Sequence, residues 1–294
     1  GGNGDGAVTY VATTGTASSC TVSGTSLTAG SFGTCLVTAT KASDTNYLVK
    51  SSTQTTVSFA KAAQSTLTIS TTSGTFGSAL TLETSGGTDN GAVTYVATTG
   101  TASSCTVSGT SLTAGSAGTC LVTATKAATT NYSAISSVQT TVTFAKANQS
   151  SLTISTTSGS FGTALTLSTS GGSGDGAVTY VATTGTATSC SISGSTLTAD
   201  SGGTCLVTAT KAASTNFNAI SSSQTTITFA KRSVVLSNFA DISNKTYGDS
   251  TFTLPAPTVA GSVAGSFAYT SGTTATATIS GSTLTLTRGQ DDTT

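Results

Sequence analysis

The chain has 294 residues, and only 7% of them are Asp, Glu, Lys or Arg, where a soluble globular domain usually carries about 25%. The ten basic and ten acidic side chains cancel to a net charge of zero, so no basic surface is available for nucleic-acid phosphates. The chain has no His, Met or Trp, which removes the most frequent acid–base group of enzymes. The composition argues against a nucleic-acid-binding protein and against most enzymes.

Apolar residues make up 36% of the chain and mostly stand singly between Thr and Ser. Alternation with a period of two predicts half-buried β-strands. No stretch approaches the roughly 18 consecutive apolar residues of a transmembrane helix, and residues 1–6 lack the charged and apolar regions of a signal peptide. We therefore expect no membrane span in this segment.

A repeat of 85 residues organises the chain. The string GAVTYVATTGTASSCTVSGTSLTAGS at residues 6–31 recurs unchanged at residues 91–116, and a variant begins at residue 176. A diverged fourth copy is marked by ISGSTLT at residues 279–285, which matches residues 192–198. Internal repeats of this kind are typical of domain arrays.

The repeat predicts four domains. The first copy is partial, spans residues 1–63 and lacks the opening strands; the second copy spans residues 64–148 and the third spans 149–232. The fourth copy, residues 233–294, is diverged and truncated. We interpret the segment as a window of a longer tandem array. Completion of the end domains by another chain is the alternative.

Turn signals divide the third copy into short alternating strands. The seven predicted strands are Ser151–Thr157, Thr163–Thr169, Ala177–Thr183, Thr188–Ser193, Ser195–Ala199, Thr204–Lys211 and Ser223–Lys231. This pattern has no helical period. It predicts an all-β chain of tandem immunoglobulin-like antiparallel β-sandwich domains that form an elongated rod.

The same alternation predicts the core. In the strand Thr204–Lys211, the side chains of Cys205, Val207 and Ala209 should share one face. Recurring aromatic residues are interpreted as core residues, with a sugar-stacking platform as the alternative. These aromatic residues of the third copy are Phe161, Tyr180, Phe217 and Phe229.

The six cysteines form three pairs, each within one repeat and each separated by 15 positions. The pairs are Cys20–Cys35, Cys105–Cys120 and Cys190–Cys205. Six cysteines allow 15 pairings, and the repeat favours this one. We predict three disulfides, each contributing about 3 kcal/mol in the chain-entropy model. A zinc site would need four Cys or His ligands, and each repeat offers two Cys and no His.

The cysteines also indicate location and limit the immunoglobulin likeness. Disulfides persist in oxidising surroundings, so we expect an extracellular protein that is secreted or displayed on a cell surface. A separation of 15 residues is too short for the inter-sheet bridge of antibody domains, so the likeness concerns architecture only. In the fourth copy Ala277 stands in place of the first cysteine.

The sequence predicts no enzyme, no catalytic residue and no cofactor. A glycosidase needs two carboxyl groups in one cleft, whereas Glu83 is the single glutamate and the adjacent Asp291 and Asp292 are interpreted as a solvated tail. Without His, a serine nucleophile would need a lysine as its base.

We also expect no metal. Calcium needs several carboxylate oxygens, whereas each of the first three repeats places one carboxylate in its Gly-rich turn, for which turn formation is the main interpretation. These residues are Asp5, Asp89 and Asp175. A Lys-to-Asn isopeptide crosslink is the less favoured idea for two pairs, Lys126 with Asn131 and Lys211 with Asn216.

The Ser/Thr-rich surface offers two further possibilities. Asn131, Asn148 and Asn244 each begin an Asn-x-Ser/Thr sequence, and glycan attachment there depends on the host. Alternate Thr residues would suit an ordered array for ice or a sugar, but a solvated strand face is the favoured interpretation.

Three segments carry a family resemblance. ATKAATTNYSAIS at residues 124–136, KTYGDSTFTL at 245–254 and FAYTSGTTATATISGSTLTL at 267–286 resemble the bacterial immunoglobulin-like repeats, especially the MBG-type modules of large surface adhesins. The resemblance covers essentially the whole chain. It implies a stalk or filament segment that spaces or assembles an adhesive fibre.

The expected partners follow from this interpretation. They are the neighbouring repeats of the same longer chain and, in a filament, further copies of it; no nucleic acid is expected, and a glycan or host-surface ligand is undefined. The alternative function is a carbohydrate- or protein-binding adhesin module in the fourth copy, which departs from the others at Pro255, Pro257 and Phe267.

Overall fold

The computed structural model describes residues 3–237, 243, 245–246, 248–259, 267–271 and 277–286. Every regular element in these residues is a β-strand. The all-β prediction is therefore confirmed, and the several sheets are consistent with a β-sandwich.

The strands follow the repeat. The first copy contains β1 (Val8–Thr14), β2 (Thr21–Ser23), β3 (Ser26–Thr28), β4 (Gly33–Lys41), β5 (Lys50–Ser51) and β6 (Thr55–Phe59). The second copy contains β7 (Leu67–Ile69), β8 (Ser73–Thr75), β9 (Leu80–Thr81), β10 (Thr84–Gly86), β11 (Val93–Thr99), β12 (Cys105–Ser108), β13 (Ser111–Ala114), β14 (Gly118–Lys126), β15 (Ile135–Ser136) and β16 (Thr140–Ala145).

The later copies continue the series. The third copy contains β17 (Leu152–Ile154), β18 (Ser158–Ser160), β19 (Leu165–Thr166), β20 (Thr169–Gly171), β21 (Val178–Thr184), β22 (Cys190–Ser193), β23 (Thr196–Ala199), β24 (Gly203–Lys211), β25 (Ile220–Ser221) and β26 (Thr225–Ala230). The described part of the fourth copy contains β27 (Leu236–Ser237), β28 (Phe252–Thr253), β29 (Thr258–Val259), β30 (Ala277–Ser280) and β31 (Thr283–Leu286).

Three sheets build the second copy. A five-stranded sheet has the order β11-β14-β16-β8, with β15 also paired to β14, and a three-stranded sheet has the order β12-β13-β9. Strands β7 and β10 form a third, two-stranded sheet. The pairs of this copy are antiparallel except β8 with β16, which is parallel. The opening segment of the copy thus runs beside the last strand of the same copy and in the same direction.

The third copy corrects the predicted strand count. Residues 149–232 are all described and contain ten strands, where the turn signals predict seven. The Ser-Gly-Ser stretch at residues 158–160, which lies between the first two predicted strands, is β18, and it pairs in parallel with β26. Within this strand Gly159 packs closely against Leu165, since a Cβ there would approach the Leu165 side chain within 3.2 Å. The glycine therefore marks close packing and not a turn.

The core lies between the sheets of each copy. In the second copy Leu67, Leu112, Val122, Val142 and Phe144 are buried, each burial contributing about 1.5–3 kcal/mol. In the third copy the predicted face holds, because Cys205, Val207 and Ala209 are fully buried. The period of two therefore identifies the inner face correctly.

A two-residue turn positions the β12–β13 hairpin. Ser108 pairs with Ser111, and Gly109 between them has φ +61°. A positive φ at the first turn position is the geometry of a type II′ hairpin. The hairpin returns the chain so that the strand bearing Cys105 and the strand bearing Cys120 come together.

The three predicted cysteine pairs lie at disulfide distance. The structure joins Cys20 to Cys35, Cys105 to Cys120 and Cys190 to Cys205, with Cα–Cα separations of 5.8, 5.8 and 5.9 Å. Cys105 belongs to the β12-β13-β9 sheet and Cys120 to the β14 sheet. The bridge therefore joins two sheets in spite of its short spacing, because the intervening hairpin fits inside the loop that it closes.

The contacts divide the chain into two compact units. The first unit comprises Gly1–Thr153, Ser170–Thr179 and Ala209–Ser223. The second comprises Ile154–Thr169, Tyr180–Thr208 and Gln224–Thr294. Residues 209–223 of the third copy thus belong to the same unit as the second copy. The four predicted domain ranges stay a prediction.

Candidate functional site

In the second and third copies, a short loop after the long strand is the element that contacts the preceding copy. We define the docking loop as residues 44–48, 129–133 and 214–218 of the first three copies. In the second copy Thr129 N donates to Tyr132 O over 3.0 Å, and in the third Ser214 N donates to Phe217 O over 3.0 Å. This turn fixes the loop backbone.

The docking loop pairs with the last residues of the preceding copy. Ala62 N donates to Asn131 O over 2.8 Å, and Ser133 N donates to Ala62 O over 2.9 Å. Ala147 forms the same parallel bridge with the loop of the third copy, through 2.9 Å bonds to Asn216 O and from Asn218 N. Two main-chain bonds thus recur at both junctions.

An asparagine side chain adds a second contact at each junction. The Oδ1 atom of Asn131 accepts from Phe32 N over 3.0 Å. The Oδ1 atom of Asn216 accepts from Ala117 N over 2.9 Å. Phe32 and Ala117 occupy the same repeat position, and a main-chain donor does not depend on the side chain there. This explains why the contact survives a Phe-to-Ala change.

A lysine at the end of each copy donates to the loop of the next. Lys61 Nζ lies 2.6 Å from Thr129 O, and Lys146 Nζ lies 2.6 Å from Ser214 O. Lys61 Nζ also lies 5.4 Å from the centre of the Phe32 ring, within range of a cation–π contact. Each lysine therefore places its charge on a loop carbonyl of the neighbouring copy.

A buried glutamine anchors the loop within its own copy. Gln64 Nε2 donates to Ala127 O over 3.2 Å and to Ser133 O over 2.8 Å. Gln149 makes the matching bonds to Ala212 O and Asn218 O. Since Gln64 follows Ala62 by two residues, the tether between copies ends at a fixed side chain. A tether this short leaves little freedom to bend.

The two glutamines differ at their oxygens. Gln149 Oε1 accepts from Gly174 N over 3.1 Å, whereas Gln64 Oε1 has no hydrogen-bond partner among the described residues. The position of Gly174 is taken in the second copy by Asp89, whose carboxylate bonds instead to Thr129 Oγ1. One substitution thus changes the hydrogen bonding around the loop.

An aromatic pair completes the second junction. The rings of Phe76 and Phe217 meet edge to face with centroids 5.8 Å apart, a geometry favoured by ring quadrupoles. Phe229 is 2% exposed and fits the interpretation as a core residue. Phe217 is a junction residue instead, since it lies in the docking loop, outside the strands that form the core.

Of the three aspartates expected in turns, Asp89 forms hydrogen bonds through its side chain. Asp89 bonds to Thr129 Oγ1 and accepts from Asn90 N over 2.7 Å. The bond from the Thr129 hydroxyl is the main reason that the pKa of Asp89 lies below its ordinary value. In the part of the chain that the structure describes, no group of three His, Cys, Asp or Glu side chains is placed to hold a metal.

The residues named for an isopeptide crosslink have other partners. Asn131 and Asn216 bond through Oδ1 to the preceding copy, and Lys211 Nζ donates to Gly172 O over 3.2 Å. The Lys126 side chain lies over Gly87, since a Cβ on Gly87 would approach Lys126 Cδ within 2.6 Å. Each of these lysines and asparagines therefore contacts residues other than its suggested crosslink partner.

The asparagines of the Asn-x-Ser/Thr sequences and the residues that distinguish the fourth copy lie in different environments. Asn131 and Asn148 both take part in junction hydrogen bonds, the latter as the acceptor from Asn218 Nδ2 over 3.0 Å. In the fourth copy Pro257 is buried, whereas Pro255 and Phe267 are exposed. Asn244, Asp291 and Asp292 lie outside the described residues.

From the sequence, Asn131, Asn216 and Phe217 are assigned to other roles, and the junction is not predicted. Lys-Ala-x-Gln at residues 61–64 and 146–149, and Thr-Asn followed by an aromatic residue at 130–132 and 215–217, both recur with the repeat. The sequence shows that both segments recur, but it does not indicate that one segment contacts the other.

Neither a protein-family model nor a curated protein matches this chain. Among the described residues, no helix has the length and apolar character to cross a membrane.

Proposed function

We propose that the chain is a non-catalytic structural segment of a secreted bacterial surface protein, a stalk or filament part that spaces or assembles an adhesive fibre. The junction between copies is the observation that carries this proposal. Two main-chain bonds, one asparagine bond and one lysine bond recur at both junctions, 85 residues apart. Each such bond contributes about 1 kcal/mol, so together they restrict hinge motion between neighbours.

The junction suits a segment of variable length. Its contacts use main-chain atoms together with Lys, Asn and Gln side chains that return in every complete copy. A further copy inserted with the same period would therefore dock in the same way. Length can then change without a new interface, which is what a spacer requires.

The disulfides and the surface support a location outside the cell. Disulfides persist in oxidising compartments, and each of the three bridged pairs lies within one copy. The strand faces carry Thr and Ser in place of charges, so salt has few ion pairs to screen. Both properties suit a segment exposed to changing surroundings, as the resemblance to MBG-type repeats of surface adhesins implies.

Small-angle X-ray scattering of the monomeric chain tests the proposal. The double variant Asn131→Ala/Asn216→Ala removes the asparagine bond at both junctions, and Asn46→Ala removes the matching side chain from the first docking loop, which docks on no other copy in the described residues. The scattering of wild type and of Asn46→Ala should fit one narrow set of arrangements of the copies. The scattering of the double variant should require a broader set. A freely hinged wild type, indistinguishable from the double variant, would overturn the proposal.

A second candidate function rests on a cavity in the fourth copy. The cavity has a volume of about 370 Å³ and is lined by Leu254, Tyr269, Ile279 and Leu284 among others. Apolar walls with a few polar groups are usual in small-ligand sites. A carbohydrate- or protein-binding module would use this cavity. Glycan-array binding by the full chain, lost on Tyr269→Ala, supports it; unchanged binding counts against it.

A further inference from the structure

A polar cleft of about 420 Å³ opens where the second copy meets the third. The second copy lines it with Ser103, Gly115 and Ser116, and the third copy lines it with the turn 173–175 and with residues 214–217 of the docking loop. All of these residues belong to the first compact unit. The volume lies within the usual range of small-ligand sites, about 300–1,000 Å³. The second junction therefore leaves room for a ligand between the copies that it joins.

A glycine keeps this cleft open. A Cβ at Gly174 would lie 3.2 Å from Ser214 Oγ and 3.3 Å from Phe217 Cβ, in the space between the turn and the docking loop. The second copy has Asp89 at this position, and its carboxylate bonds to Thr129 Oγ1, the counterpart of Ser214. At the first junction a side chain thus occupies the space that stays open at the second.

Several polar groups around the cleft are available to a ligand. These groups have no hydrogen-bond partner among the described residues, and they are the hydroxyls of Ser103, Ser214 and Thr215, the carboxylate of Asp175 and the Nδ2 group of Asn216. Hydroxyls both donate and accept, a carboxylate accepts, and an amide nitrogen donates. Phe217 is half-buried and adds an apolar surface. The set matches a ligand that carries both hydroxyl groups and C–H faces.

The charges around the cleft favour a neutral ligand. Asp175 is exposed and is the one acidic residue among those that line the cleft, whereas calcium sites use several carboxylate oxygens. A phosphate would face this carboxylate, and the nearby Lys146 ammonium is already bonded to Ser214 O over 2.6 Å. Neither a calcium ion nor a phosphate therefore finds the groups that it needs.

We propose that this cleft binds a neutral carbohydrate, a mono- or disaccharide unit. Its hydroxyl, amide and carboxylate groups bond to the sugar hydroxyls, and the Phe217 ring contacts a C–H face of the sugar. The site lies between two copies of the stalk and goes beyond the proposed function. It also differs from the fourth-copy cavity, whose walls include Leu254, Ile279 and Leu284.

Two-dimensional NMR of the full chain tests the proposal by titration with maltose, cellobiose, lactose, mannobiose and chitobiose in turn. At least one of these neutral disaccharides should shift the amide signals of Ser173, Asp175 and Thr215. We expect a Kd of about 1 mM, because a few exposed hydrogen bonds must offset the lost freedom of the sugar. Calcium chloride and sodium phosphate should leave the same signals in place. No response to any of the sugars, or a response to calcium or phosphate instead, would overturn the proposal.

Two variants test the residues of the cleft. Gly174→Asp gives the third copy the residue that the second copy has, at a position without a positive φ. Its carboxylate should bond to Ser214 Oγ, fill the cleft and weaken sugar binding at least about tenfold, the effect of losing one or two hydrogen bonds. Asp175→Ala removes a charged acceptor and should weaken binding about tenfold.

Asp5→Ala is the matched control, because Asp5 has the same repeat position in the first copy and lies outside the cleft. This variant should bind the sugar as wild type does, and circular dichroism confirms that each variant is folded. Unchanged binding by Gly174→Asp and Asp175→Ala, or an equal loss in Asp5→Ala, would overturn the proposal. The stalk proposal is judged separately, by the scattering of the monomer without sugar.

Discussion

The first and second copies share long stretches of identical sequence but bury them differently. Val122 and Phe144 in the second copy are 0% and 2% exposed, whereas their counterparts Val37 and Phe59 are only partly buried. Strands β4 and β14 have the same sequence, GTCLVTATK. Identical strands therefore do not guarantee equal cores.

The difference comes from the opening strands of the second copy. Leu67 and Leu82 come from this opening segment and belong to the same buried cluster as Val122 and Phe144. In the described residues before Val8 the first copy has no strand. The long strand supplies one wall of the core, and a separate segment must supply the other.

The largest expected effect is a core truncation that distinguishes the two copies. Phe144→Ala should cost about 3–5 kcal/mol, the usual range for a buried phenylalanine. Phe59→Ala should cost clearly less, because part of its ring already faces solvent. Hydrogen exchange along β14 and β4 localises each loss. Equal losses in both copies would contradict the difference in burial.

The disulfides should affect both copies alike. Replacing both cysteines of one pair by serine, Cys105/Cys120 or Cys20/Cys35, should cost about 3 kcal/mol in either copy, because the chain-entropy term depends on the length of the closed loop. Urea unfolding followed by circular dichroism, with exchange to assign the copy, measures the losses. A loss confined to one copy would mean that local packing, and not loop closure, dominates.

The asparagine of the docking loop should matter only where the loop is docked. Asn131→Ala should weaken the first junction by about 1 kcal/mol, the usual net value of one hydrogen bond. Asn46→Ala in the monomer should have almost no effect. The opening free energy measured by exchange at Ala62 N reports the difference. Equal effects of the two variants would show that the asparagine side chain does not contribute to docking.

The smallest expected effect is a loss of amide protection at low pH in the docking loop of the first copy. Bonds from the main chain, above all from Asn46 N, hold the pKa of Asp44 below its ordinary 3.8. The stabilisation is therefore present above the unfolded pKa and is lost as the pH falls through the lower folded value. Exchange at Tyr47 N should stay slow from pH 7 to 4 and lose its protection below that range. Asp44→Asn should abolish this acid-dependent loss, and an unchanged profile would contradict the role of Asp44.

The sequence predicts the strands better than the junctions. Alternation in the Thr204–Lys211 strand identifies the buried face because a strand exposes every second side chain. The spacing of Cys190 and Cys205 gives the pair because the repeat confines it. Two-residue strands such as β25 are too short for any pattern to appear.

The docking partners could not be derived in the same way. Asn131 and Phe32 are 99 residues apart, and their contact uses a main-chain donor that has no sequence signature. Gly159 lies between two predicted strands, but its parallel pairing with Phe229 places it in β18. In each case the decisive contact is non-local.

Exchange at two equivalent amides tests the central claim, that neighbouring copies are hydrogen-bonded together, most directly. Ser133 N donates to Ala62 O in the preceding copy, whereas Leu48 N occupies the same repeat position in the first copy and has no such acceptor among the described residues. At a concentration where the chain is monomeric, Ser133 should exchange at least about tenfold more slowly than Leu48, corrected for intrinsic rates. Equal exchange at both amides would contradict docking in solution.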